Sequence, residues 1–349
     1  MQAFMSKQVP LFITARFRSG STLLWHIFDQ AKGYHAYYEP CHDNLLAHIR
    51  YTLPMDSHRG VQSYWASYQN QLPLIENRHQ PEFGLSRLLL EAHESWDELK
   101  FYLQSLLQSA APAIPVLQFN RIDFRLPWIR THFPTARIVH LYRDSRDSYF
   151  SMTRHLAPEA ADNPGQGHVY DLLEWSVALA EYFPFLADPG IQSLYERHYY
   201  FWKLSYLMGR RCSDLSLSYD ADFRDNPALG LEKLSQAGYL DSRQIDDLGP
   251  LIQPQSSGQW AERYAESWFQ TIEKRCEQML DELGLNAYFG RLPLAEIKKQ
   301  HAAAWSRYEG LSLNDPARSL LMEYSRQRSE VTRLLFLVRN GSKDCSDSP

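Results

Sequence analysis

Short apolar runs alternate along the chain with longer stretches in which apolar side chains return at helical spacing. That alternation predicts strands interleaved with helices. Val9, Leu11, Phe12 and Ile13 predict a first buried strand. Leu23, Leu24, Ile27, Phe28 and Ala31 then predict a helix with one apolar face, closed at Lys32-Gly33. Further strands are predicted over Tyr34–Tyr38, Pro115–Phe119, Arg137–Tyr142 and Leu215–Tyr219. Helices are predicted over about 169–184, about 196–210 and Glu262–Leu283, with another opening at Asn226-Pro227 and a last one over about 316–338. Such an order implies an α/β fold in three layers, a central parallel β-sheet flanked by helices.

Two stretches stand apart from this alternation. Residues 42–114 read as a largely helical insertion, divided at Pro73 and Pro81, with Tyr64, Trp65 and Tyr68 spaced along one helix face. Their plainest role is packing. Residues 155–168 hold two Pro and two Gly and read as a loop, a candidate lid. A single domain is expected over 1–340, including a helical extension over about 300–338, with a disordered tail at 341–349.

Composition narrows the classes. With 349 residues and 44% apolar content the chain is long enough for a large core. The net charge of −5 argues against a general nucleic-acid binder. Four widely spaced cysteines suggest neither a zinc site nor a disulfide framework. Reduced thiols, no run of transmembrane length and no signal-like start point to a cytoplasmic protein.

Candidate chemistry begins at Arg16-Phe17-Arg18-Ser19-Gly20-Ser21-Thr22, between the first strand and its helix. A helix start offers unpaired N–H groups and a positive dipole end. Gly20 lets backbone approach a ligand, Ser21 and Thr22 add hydroxyls, and Arg16 and Arg18 add charge. This is a cradle for phosphate or sulfate. Against the ATP loop G-x-x-x-x-G-K-[ST], only Gly20 and Thr22 match, and the lysine is missing.

Arg18-Ser19-Gly20-Ser21-Thr22 resembles instead the 5′-phosphosulfate loop of sulfotransferases that use 3′-phosphoadenosine 5′-phosphosulfate (PAPS). Three further segments carry the resemblance. Arg143 after a strand, with Ser151 eight residues on, is similar to that family's 3′-phosphate pair. Leu217-Ser218-Tyr219-Asp220 resembles a strand ending in the adenine-contacting Tyr, with Asp in place of the usual Glu. Ser256-Ser257-Gly258-Gln259-Trp260 resembles a C-terminal loop in which Ser257, Gly258 and Gln259 would close over the 3′-phosphate, without that loop's strongly basic version.

The resemblance implies a P-loop-NTPase-like sulfotransferase fold, PAPS as co-substrate, its desulfated form PAP as product, and no metal. The acceptor would be a hydroxyl on a small molecule, sugar, lipid or peptide. It also implies a base. No His follows the third strand, where Gln118, Asn120 and Arg121 stand. Glu39-Pro40, after the second strand, is similar to the Glu of the bacterial and tyrosylprotein branch. Glu39 is therefore the expected base, His42 its alternative, and Arg18 the group that stabilises the leaving oxygen. Two other readings stay open: a small-molecule kinase, with Asp144 on Mg²⁺, and a nucleotide-binding module without turnover.

Overall fold

The computed structural model describes residues 9–51, 61, 63–157, 170, 172–253, 256–309, 311, 327 and 331. The predicted lid over 155–168 lies outside them from residue 158 on, as do nearly all of the predicted last helix and the tail.

Five strands form one all-parallel sheet: β1 (Leu11–Ala15), β2 (Tyr34–Tyr38), β3 (Ile114–Phe119), β4 (Arg137–Tyr142) and β5 (Leu215–Ser218). Their spatial order is β2-β3-β1-β4-β5. Parallel strands covered on both faces read as continuous apolar runs, and every residue of β1 is buried. Phe12 sets its ring 5.8 Å from Phe119 and 5.3 Å from Phe133, tying β1 to the core around β3.

Helices complete the three-layer α/β architecture. α1 (Ser21–Gln30) packs on β1, β2 and β3, and its Trp25 indole donates to Ala36 O at 3.3 Å. α2 (Asp97–Ser109) packs on β3. α3 (Ser145–Thr153) follows β4 directly. α4 (Leu172–Leu179) packs along α5 (Leu194–Cys212), and α5 packs on β4 and β5. α6 (Pro227–Gln236) opens with Pro227 in its first turn, and α7 (Glu266–Glu282) runs along α5.

The insertion is helical in short pieces. Pro73 and Pro81 sit at the starts of helical segments Leu72–Arg78 and Glu82–Leu85, where a missing N–H costs nothing. Tyr64, Trp65 and Tyr68 are buried around Tyr38 at the end of β2, Trp65 edge-on to its ring and the Tyr68 hydroxyl donating to Tyr38 O at 2.9 Å.

The order of strands places the site. Chain leaving β1 goes to β2 on one side, and chain leaving β4 goes to β5 on the other. The crevice at the carboxyl ends of β1 and β4 is therefore a topological switch point, where open parallel sheets bind ligands. The loops after β1 and β4 are the two that carry the anion-binding candidates.

Candidate active site

The loop after β1 is wound tightly. Ser19 N donates to Arg16 O at 3.2 Å, and Arg18 and Gly20 both take left-handed backbone, with φ of 65° and 91°. Gly20 caps α1 without a side-chain bond, and the first turn carries no acidic residue. The amides of that turn and their positive dipole end are thus not capped by a side chain of Gly20's neighbours. Ser19 and Ser21 are buried, and Thr22 Oγ1 shares a hydrogen bond with the Tyr38 hydroxyl at 3.2 Å.

The second loop comes to meet the first. Asp144 caps α3, its Oδ1 accepting from Arg146 N at 2.9 Å and Asp147 N at 3.1 Å. The carboxylate that a kinase would offer to Mg²⁺ serves here as a helix cap. Capping fixes the phase of α3, so Asp147 and Ser151, four apart, share a face. Arg18 Nε donates to Ser151 Oγ at 2.9 Å across 133 residues of chain. Arg143 Nη1 approaches Arg18 O at 3.5 Å. Arg143 Nε is buried, with no hydrogen-bond partner among the described residues.

Tyr219, just past β5, closes the same cluster. Its ring lies against Gly20 so closely that a methyl there would sit 2.4 Å from Cδ2. The Arg143 guanidinium stands 5.0 Å from the ring centre. Gly258 joins through its N–H, which donates to Asp147 Oδ1 at 2.8 Å. Ser257 and Gln259 are exposed beside it. A cleft of about 660 Å³ opens on the Arg143 and Gly258 side of the cluster, lined in part by Arg143, Asp147, Asp220, Ser257 and Gly258 but by no residue of the loop after β1. So Arg18, Gly20, Arg143, Ser151, Tyr219 and Gly258, spread over 240 residues (258 − 18), belong to one neighbourhood.

Other predicted residues are engaged elsewhere. Arg16 pairs with Asp123 at 3.4 Å and lies 4.1 Å from the Phe201 ring centre and 4.8 Å from that of Trp175. Phe17 stacks on Trp175 at 5.4 Å and touches Tyr170 at 5.3 Å.

Glu39 stands one residue beyond β2, its N–H donating to Gln118 O at 2.8 Å in continuation of the sheet ladder. It is buried, with a φ of 47°. Strained backbone of this kind persists only where its surroundings hold it. Its Oε2 accepts from Arg121 Nη1 at 2.8 Å. That partner comes from the end of β3 and not from the first loop. Burial pushes the Glu39 carboxyl up from its ordinary value, and Arg121 and the Asn120 N–H pull it back. His42 Nδ1 accepts from Asn44 N at 3.0 Å, and burial beside Arg121 holds its pKa well below the usual imidazole range.

Arg121 and Asp147 are the contributors that local sequence did not single out. Arg121 carried only its place after a strand, and Asp147 only its place in a run of alternating charge. Among the described residues no group of three or more His, Cys, Asp or Glu is arranged to hold a metal ion. None of their helices is long and apolar enough to cross a membrane.

The fold is a three-layer α/β fold of P-loop-like character, and the loops after β1 and β4 meet at its switch point, where such sheets bind ligands. The model of the sulfotransferase family matches residues 10–190, just over half of the 349. The chain belongs to the sulfotransferase family. No curated protein matches it significantly.

Proposed function

We propose that this chain moves a sulfonate group from PAPS to a hydroxyl acceptor, with Glu39 as general base. The observation that carries the donor assignment is the Arg18–Ser151 hydrogen bond of 2.9 Å. It joins the loop suited to one phosphate to the Arg143–Ser151 pair suited to another, as a donor phosphorylated at both the 5′ and 3′ positions requires. Arg143 Nε is buried and stands 3.9 Å from Asp220 Oδ1, beyond hydrogen-bond reach; without a hydrogen-bond partner among the described residues, it is a donor that a phosphate oxygen would satisfy.

In this reading the first-turn amides, Ser21 and Thr22 hold the 5′ end. Arg143, Ser151 and the Ser257-Gly258-Gln259 segment hold the 3′-phosphate, and Tyr219 faces the base. PAPS would supply an activated sulfonate whose S–O bond to phosphate breaks as the bond to the acceptor oxygen forms. Glu39 takes the acceptor's hydroxyl proton. Arg18 stabilises the negative charge gathering on the leaving phosphate oxygen. The acceptor class stays at a hydroxyl group of a small molecule, sugar, lipid or peptide.

Calorimetric titration with PAP, and separately with ATP and Mg²⁺, tests the donor site. PAP is expected to bind without metal and far more tightly than ATP·Mg²⁺. Arg143→Ala should weaken PAP at least about tenfold and leave adenosine 5′-phosphosulfate, which lacks the 3′-phosphate, nearly unchanged. Equal losses for the two ligands would refute the 3′-phosphate role. A preference for ATP·Mg²⁺ would favour the kinase.

A further inference from the structure

We propose that Arg121 is the positioning residue that holds Glu39 ionised and aimed, and that Asp43 competes with Glu39 for the same guanidinium. The proposal rests on the reading of Glu39 as the base.

Arg121 is buried at the carboxyl end of β3. One nitrogen, Nη1, lies 2.8 Å from Glu39 Oε2; the other, Nη2, lies 3.8 Å from Asp43 Oδ1. A planar fork so shared fixes direction as well as charge. Aromatic rings hold the fork in place: its carbon is 5.1 Å from the Phe17 ring centre and 5.4 Å from that of Trp175. Asp43 is held in turn by the Asn44 side-chain amide, which donates to its Oδ2 at 2.9 Å.

The charge balance around Glu39 needs this arginine. Among the described residues, a second cation that acts on Glu39 is Arg16, and Arg16 is paired with Asp123 at 3.4 Å. Among the described residues, Tyr38, Cys41 and Tyr68 also act on it, and each is neutral in its acid form. Burial pushes the Cys41 thiol up to about 12 and both phenols up as well. Around Asp43 stand His42 and His48, whose imidazoles burial holds neutral, His48 at about 4. Without Arg121, then, Glu39 would be a buried carboxyl with one distracted cation, and it would keep its proton. A protonated Glu39 cannot accept the acceptor's proton.

The test reads Glu39 itself, so it needs no known acceptor. Full-length protein is labelled with ¹³C-glutamate, and the Glu39 carboxyl resonance is identified by its loss in Glu39→Gln. Its titration midpoint should rise by about 1–3 pH units in Arg121→Gln. Arg121→Lys should restore most of the shift. Asp43→Asn should move the midpoint the other way, because it removes a competing negative charge. PAP affinity, measured on each variant, reports whether the donor site is folded. An unmoved midpoint in Arg121→Gln with PAP binding intact overturns the proposal. If Arg121→Gln fails to fold, an unmoved or raised midpoint in Asp43→Asn overturns it. The base reading fails separately: full PAPS turnover by Glu39→Gln would refute it whatever the titrations give.

Discussion

Gly20 is where backbone and ligand requirements coincide. It holds a φ of 91°, and a side chain there would strike the Tyr219 ring at 2.4 Å. Two penalties therefore fall on Gly20→Ala: the left-handed backbone and the clash. The variant should lose about 1–3 kcal/mol of stability, seen as a lowered melting temperature, and PAP affinity should drop about tenfold. Adding Tyr219→Ala should relieve the clash alone and recover part of the loss in stability. PAP binding at full strength in a folded Gly20→Ala protein would detach this loop from the donor. The loop's candidate residues were open to inspection in the sequence, because Arg18 to Thr22 are adjacent. Glu39's surroundings were not: its partner Arg121 is 82 positions away. Local pattern shows which residue follows a strand, and says nothing of which neighbouring strand's end it will face.

At the scale of elements, α3 is set by its cap. Asp144→Ala should cost about 1 kcal/mol, measured as a shift in the urea midpoint. It should also weaken PAP modestly, because Ser151 rides on the helix that the cap starts. Complete loss of Mg²⁺-dependent ATP binding in that variant, from a wild type that had it, would mark Asp144 as a metal ligand instead. β2 and β4 match their predicted bounds because turn residues delimit their apolar runs. β1 does not: Val9 is 40% exposed, and the strand runs on to Ala15. What extends it is pairing with β4, Ala15 against Leu141, a contact 126 residues away (141 − 15) that no local run encodes. The tie between Gly258 and Asp147 is invisible for the same reason.

For the whole molecule, buried histidines set an acid limit. His79 is held at about 4, and His140 and His198 at about 3, in each case chiefly by burial. Unfolded, these imidazoles take protons near pH 6.5, so between there and pH 4 the unfolded chain binds more protons. Their contribution is complete above pH 6.5 and is lost as the pH falls, about 1.4 kcal/mol per group and pH unit. Urea midpoints should therefore drop clearly from pH 7 to pH 5; equal midpoints would contradict the burial of these rings.

The strand order also bears on how the protein is made. β1 is synthesised before the other four strands and becomes the centre of the sheet, yet it pairs with neither strand that borders it until β3 and β4 exist. Well over a hundred residues must be synthesised before its two edges are covered. Until then an apolar strand with at least one hydrogen-bonding edge open is available to any passing chain. The nascent sheet is thus most exposed to aggregation before residue 142 has emerged, and a chaperone that shields Leu11–Ala15 would act at the point of greatest need.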